Sequence, residues 1–221
     1  MVPNLDFSIR SFLGGYDKNF TYLITCIKSN SQVLIDASID PNHILPFIRN
    51  HPIALLITHT HSDHIAYLDR YLEIFKKITV IAHPKALLNM KCKSNLKLVK
   101  DMQNFRIDKL IFQSIHTPGH YFDSICYQLN PTLFTGDTLF VGRTGRTIST
   151  KSSIYDLYDS IYNKILMLPK NIRIYPGHDY GKQPSIQLNE NITISPLLQA
   201  KDRNDFINVM DKYEKNRKSG E

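Results

Sequence analysis

An α/β layered protein, with sheets inside and helices outside, is the fold class this 221-residue sequence predicts, on three observations. Short β-type runs come first, strand-like and helix-like stretches then alternate, and the same order returns in the second half. One run, "IALLIT" (53–58), is apolar throughout, the pattern of a strand covered on both faces.

In chain order, "FSIRSF" (7–12), "FTYLITCI" (20–27) and "QVLID" (32–36) read as an antiparallel meander, with Gly14-Gly15 and "KSNSQ" as its turns. Asp40 as N-cap and Pro41 at the first helical position open a helix over 40–50, which Pro46 keeps short or kinked. Strand 53–58 follows, then a short helix near 65–76, strand 78–83 and a helix beginning at "PKALLNMK". Strands are expected at 109–117, 124–129 and 132–137. The clearest helix is "SSIYDLYDSIYNKILMLP": Ser153 with Asp156 resembles a capping box, and Ile154, Leu157, Tyr158, Ile161, Ile165 and Leu168 form one stripe. Strand 172–176 and a terminal helix near 202–215, with Phe206, Val209, Met210 and Tyr213 on one face, finish the chain.

Length and composition favour a single domain over 1–221, with a core of about 7–178 and a short C-terminal extension carrying a helix. Hydrophobic residues make up 42% and charged residues 21%, as in an ordinary soluble protein, and no apolar run approaches the roughly 18 residues of a membrane span. No signal peptide is read at the N-terminus, so the expected location is cytoplasmic. Cys26, Cys92 and Cys126 are scattered and suit free thiols, and in a cytoplasmic protein the Asn-x-Ser/Thr triplets at Asn19 and Asn191 carry no weight. The net charge of +7 raises the question of an anionic partner, but the basic residues are dispersed, with mild clusters at 85–100 and at the C-terminus. An anionic small molecule fits this better than nucleic acid.

The chemistry is concentrated in "THTHSDH" (58–64), directly behind the apolar strand. On extended chain His59 and His61 point the same way, whereas the adjacent Asp63 and His64 diverge, so one loop can serve two targets. Neutral imidazole and carboxylate are the usual ligands of zinc and of non-haem iron. Three further candidates each follow a strand and a glycine: His120 after Gly119, Asp137 after Gly136 and His178 after Gly177. Glycine suits positions where backbone must approach a site closely.

In that order the seven residues resemble the full ligand set of the metallo-β-lactamase-fold superfamily, which implies an αββα four-layer sandwich with a binuclear metal site. The resemblance places His59, His61 and His120 on a first metal and Asp63, His64 and His178 on a second, with Asp137 bridging. Asp63 and Asp137 are then the expected catalytic residues. Two divalent cations, most simply zinc, would acidify a water to generate hydroxide near neutral pH and polarise the carbonyl under attack. His43, His51, His83 and His116 match no motif and read as structural or surface residues.

Within the superfamily, "FTGDTLFVGRTGRT" and "LPKNIRIYPGHDYG" are similar to glyoxalase II, which hydrolyses hydroxyacylglutathione thioesters, and to persulfide dioxygenase, which oxidises glutathione persulfide at one iron(II). Arg146 stands where glyoxalase II places a basic residue for glutathione, and Tyr180 matches its tyrosine after the last metal histidine. A cation and a phenol suit an anionic tripeptide. That family has a helical C-terminal domain, whereas 43 residues follow His178 here. In the dioxygenase reading His59, His120 and Asp137 form the iron triad, Gly145, Arg146 and Thr147 match, and Ile148 departs from the usual aspartate. Ala66-Tyr67 and Tyr121-Phe122-Asp123 depart from both families beside the metal loops. The expected partner is a small-molecule thioester or thiol substrate, with no membrane and with a homodimer left open. A metallo-nuclease on phosphodiesters is the third reading, disfavoured because no insertion long enough for an RNA-binding arm lies between His120 and His178.

Overall fold

A computed structural model describes residues 6–90 and 95–218, with side chains described as far as residue 215. β1 (Phe7–Gly14) and β2 (Asn19–Cys26) form an antiparallel hairpin, paired from Phe7 opposite Cys26 to Gly14 opposite Asn19. β3 (Gln32–Ile35) pairs antiparallel with β2, and β4 (Ala54–Leu56), β5 (Thr79–Ala82) and β6 (Leu96–Leu98) add in parallel. The second sheet collects β7 (Gln103–Ile107), β8 (Leu110–His116), β9 (Ile125–Leu129), β10 (Thr132–Gly136), β11 (Arg173–Pro176) and β12 (Ile186–Gln187). Its spatial order is also the chain order, and its one parallel pair is β10 with β11.

The alternation of side chains along each strand explains the layers. In β3, Val33 and Ile35 point into the space between the sheets, where they meet Tyr22, Phe112, Tyr127 and Phe134. Leu34 points the other way, onto Leu68 and Tyr71 of α1 (Leu68–Ile74). On the far side of the second sheet, Cys126, Leu133 and Ile174 receive Leu157 and Ile161 of α2 (Ile154–Tyr162), Leu188 of α3 (Leu188–Ile194), and Phe206 and Met210 of α4 (Arg203–Lys218). Both faces of both sheets are therefore covered, in the expected αββα order. That is why the central strands read as continuous apolar runs. Two tyrosine hydroxyls cross the inner layer: Tyr127 donates to the carbonyls of Ile57 (2.9 Å) and Ile81 (3.1 Å), and Tyr22 to that of Pro176 (2.6 Å).

Several elements differ from expectation. The helix expected over 40–50 is two 3-10 turns, Pro41–His43 and Leu45–Phe47, because Pro46 lacks an N–H and obstructs the preceding turn. "PKALL" is likewise a 3-10 turn, Pro84–Leu88, and the rest of that expected helix, together with Cys92, reaches outside the described residues. The helix opening at Ser153 ends at Tyr162, and a 3-10 turn, Ile165–Met167, takes its place. β6, β7, β12 and α3 are additional. Cys26 and Cys126 are buried free thiols, and no described helix is long and apolar enough to cross a membrane.

Candidate metal centre

The chain leaves β4 at Leu56 and enters the histidine loop two residues later, while Asp137 follows β10 directly and His178 follows β11 by two. These parallel strands end at the same edge of the sandwich. His120 arrives there from the loop after β8. All seven sequence-predicted ligands meet, in three overlapping groups whose donor atoms lie within 4.8 Å of one another: His59, His61 and His120; His59, His64 and Asp137; Asp63, His64 and His178.

Ring nitrogens face one another across short gaps. His61 Nδ1 lies 3.0 Å from His59 Nε2 and 2.9 Å from His120 Nε2, and His64 Nε2 lies 3.2 Å from His178 Nε2. Ligand nitrogens about 2.0–2.1 Å from a tetrahedral zinc stand roughly 3.3 Å apart, close to these values. Asp137 Oδ2 is 3.4 Å from His120 Nε2 and 3.2 Å from His178 Nε2, so this carboxylate sits between the groups. Its buried Oδ1 makes no aligned hydrogen bond, although His64 Nε2 is 3.1 Å away. Buried polar atoms left in this way generally have a function, and the donor set fits two divalent cations.

A second ring of contacts fixes the imidazoles. His64 Nδ1 meets Asp36 Oδ2 at 2.8 Å, His120 Nδ1 the Arg146 carbonyl at 2.9 Å, and His178 Nδ1 the Asp17 carbonyl at 2.7 Å. Each leaves Nε2 turned inward, the nitrogen that offers a lone pair to metal once its proton is displaced. Asp36, with φ at +58°, also accepts the Thr58 N–H and hydroxyl, both at 2.7 Å. Asn19 donates to Asp63 Oδ2 at 2.7 Å, and Asp123 accepts the Thr60 hydroxyl at 2.6 Å. Sequence reasoning missed these three as site residues. Only Asp123 carried a signal, as part of a departure beside a metal loop. In that departure Tyr121 packs against His61, with ring centroids 4.0 Å apart and the planes tilted by 42°.

Of the three glycines, Gly177 alone is forced by the site itself, since a Cβ there would overlap Asp137 Oδ1. A Cβ at Gly119 would instead run into the backbone of Leu157 in α2, and one at Gly136 into the Thr58 side chain.

Charge divides the site. Burial holds His59 well below the ordinary imidazole range and His61 at about 4, with neighbouring imidazoles adding to both. For His64 and His178 burial acts the same way, but Asp137 outweighs it, raising His64 well above its ordinary value and His178 to about 10. Burial would raise Asp63 and Asp137, yet contacts with His64 and His178 bring both below the usual carboxylate range. The carboxylates thus require positive charge, supplied by imidazolium protons or by cations.

Arg146 and Tyr180 line the same cavity of about 180 Å³ with Asp17, His61, His120 and Asp137. Each meets a carboxylate of the chain itself. Arg146 Nε lies 3.1 Å from Glu214 Oε2 on α4, and the Tyr180 hydroxyl donates to Asp17. Tyr180 also lies parallel to His178, ring centroids 4.8 Å apart, under the Arg143 guanidinium.

The αββα sandwich with clustered His and Asp side chains at one edge defines a class of metal-site protein. Residues 14–178 match the family described as Metallo-beta-lactamase superfamily. The chain belongs to that superfamily. It is 28% identical over 194 residues to the probable polyketide biosynthesis zinc-dependent hydrolase BaeB of Bacillus velezensis, covering 86% of each chain. It is 32% identical over 176 residues to a hydroxyacylglutathione hydrolase of Francisella tularensis subsp. novicida, covering 77% of this chain and 67% of that one. The crystal structure of ETHE1 from Myxococcus xanthus superposes with a TM-score of 0.83 at 30% identity, covering 92% and 90% of the two chains.

Proposed function

We propose that this chain is a metal-dependent hydrolase of glyoxalase II type acting on a small thioester such as a hydroxyacylglutathione. The observation that carries this reading is the complete second group, Asp63, His64 and His178, beside the first. Iron held by His59, His120 and Asp137 alone would give that group no ligand role. The relatives named as hydrolases support the same direction.

Divalent metal held by this set, most simply zinc, would supply Lewis-acid polarisation of a carbonyl oxygen and would lower the pKa of a water toward about 7. His59, His61 and His120 would hold one ion, Asp63, His64 and His178 the other, and Asp137 would touch both. The protein's own part is orientation. Asp36 and the two backbone carbonyls keep the imidazoles in the metal-binding tautomer. Asp63 is partly exposed, and its Oδ2, which accepts from Asn19 at 2.7 Å, is also the oxygen that faces His178 Nε2 at 3.4 Å. Asn19 would thus steady the oxygen turned toward metal and leave the other to orient the nucleophile. Arg146 and Tyr180 stand at the cavity wall, where the thiol-bearing part of the substrate would lie.

A persulfide dioxygenase using His59, His120 and Asp137 for iron(II) is the second reading, favoured by the likeness to ETHE1 over nine-tenths of both chains. Metal analysis of protein purified without added metal, with parallel assays on hydroxyacylglutathione and on glutathione persulfide under an oxygen electrode, decides between them. Two metals per chain with thioester cleavage are expected, and mononuclear iron with oxygen uptake and no cleavage would sink the hydrolase. Asp63→Ala should lower hydrolysis at least about 100-fold, the scale at which transition-state contacts are lost. Iron chemistry at the other three residues should survive that change.

A further inference from the structure

α4 is anchored on the second sheet by Phe206 and Met210, both essentially buried. Residues four apart share a helix face, so the next position on that stripe is 214. It holds a glutamate. A carboxylate on the inward face of an amphipathic helix calls for a polar partner, and Glu214 Oε2 meets Arg146 Nε at 3.1 Å. The Glu214 side chain is 17% exposed and that of Arg146 39%.

Arg146 reaches Glu214 from a fixed base: its carbonyl holds His120 Nδ1, and the residue lines the metal cavity. The guanidinium is thus a cation beside the metal cavity that an acidic substrate would meet, and the chain's own carboxylate already lies against it.

We propose that Glu214 is a specificity-determining residue that occupies Arg146 in the manner of a substrate carboxylate, so that acidic ligands bind only by displacing it. The proposal rests on the reading of Arg146 as a substrate-binding residue and deepens it. A half-exposed ion pair is weak, so the bias against acidic ligands amounts to about twofold to fivefold in affinity. Neutral carriers of the same thiol escape it.

The test is calorimetric titration of the metal-loaded protein with S-methylglutathione, which carries two carboxylates, and with the neutral S-methyl-N-acetylcysteamine. Glu214→Gln preserves the shape of the side chain and should tighten S-methylglutathione about twofold to fivefold while leaving the neutral probe unchanged. In an Arg146→Gln background the same change should have no effect, which separates displacement from a general loss of negative charge. Asp211→Asn, on the exposed face of the same helix, should not change either affinity. Equal or weaker binding of the acidic probe by Glu214→Gln, a gain that persists without Arg146, an equal gain for the neutral probe or for Asp211→Asn, or no measurable binding of S-methylglutathione to either protein would overturn the proposal. Binding is scored independently of turnover. Absence of thioester cleavage in the unaltered protein would therefore count against the proposed activity, and these affinities against the role of Glu214.

Discussion

At the scale of single residues, the histidines and aspartates that cluster were legible and the residues that hold them in place were not. His59, His61, Asp63 and His64 crowd one loop, and His120, Asp137 and His178 each follow a glycine at a strand end. Asp36 and Asn19 lie 28 and 44 positions from the ligands they hold, and only sheet pairing brings them there. Nothing in local spacing marks such a contact. Asp36 is the more consequential, as one buried carboxylate serves a backbone N–H, a hydroxyl and an imidazole. Asp36→Ala is expected to lower unfolding free energy by about 3–5 kcal/mol, the usual effect of breaking a buried charged network. It should also weaken metal binding by about 10–100-fold. Urea denaturation and chelator competition measure the two, and a loss under about 1 kcal/mol would contradict the role given to Asp36.

At the scale of elements, strands with continuous apolar runs were readable, and weakly patterned elements were not. β7, "QNFRI", buries only Phe105 and Ile107. α3, "LNENITI", is largely polar, although Leu188 and Asn191 are buried. The helical expectation over 40–50 failed because Pro46 lies inside the span, and at Pro84 the described residues form only a 3-10 turn. The junction of α2 with the His120 loop is the tightest of these elements. Ser153 caps α2 through Asp156 N–H and donates its own N–H to Gly119 O at 2.8 Å, while Gly119 sits at φ +138° against Leu157. Gly119→Ala adds both backbone strain and a clash with helix backbone, so a loss of at least about 2 kcal/mol is expected. Thermal melts with and without zinc read it. The zinc-induced rise in melting temperature should shrink as well, because His120 is the next residue.

At the scale of the whole molecule, the two sheets meet through the apolar inner layer, the crossed hydroxyls of Tyr22 and Tyr127, and a stacked pair of histidines. His83, after β5, lies parallel to His116, at the end of β8, with ring centroids 3.8 Å apart. Burial and the facing imidazole hold His83 at about 4, with Lys85 and Lys164 adding to this and Asp101 opposing it. The folded value lies below the ordinary one, so between about pH 6.5 and 4 the unfolded chain binds more protons, and stability falls as pH falls. The expected loss is about 1–2 kcal/mol by pH 5. Comparing denaturation of the native protein with His83→Asn, which retains an acceptor for the turn at Pro84, should show a flatter profile in the variant. Parallel profiles would remove His83 as the cause.

Within each sheet, every hydrogen-bonded neighbour is also the next strand along the chain. The first half can therefore zip up as it leaves the ribosome, without waiting for the second, because its pairings have short sequence separation. What it cannot do alone is hold metal at either predicted position, since each ion needs a residue from the other half: His120 for one, His178 for the other. On the proposed ligand assignment, metal uptake therefore follows the docking of both halves.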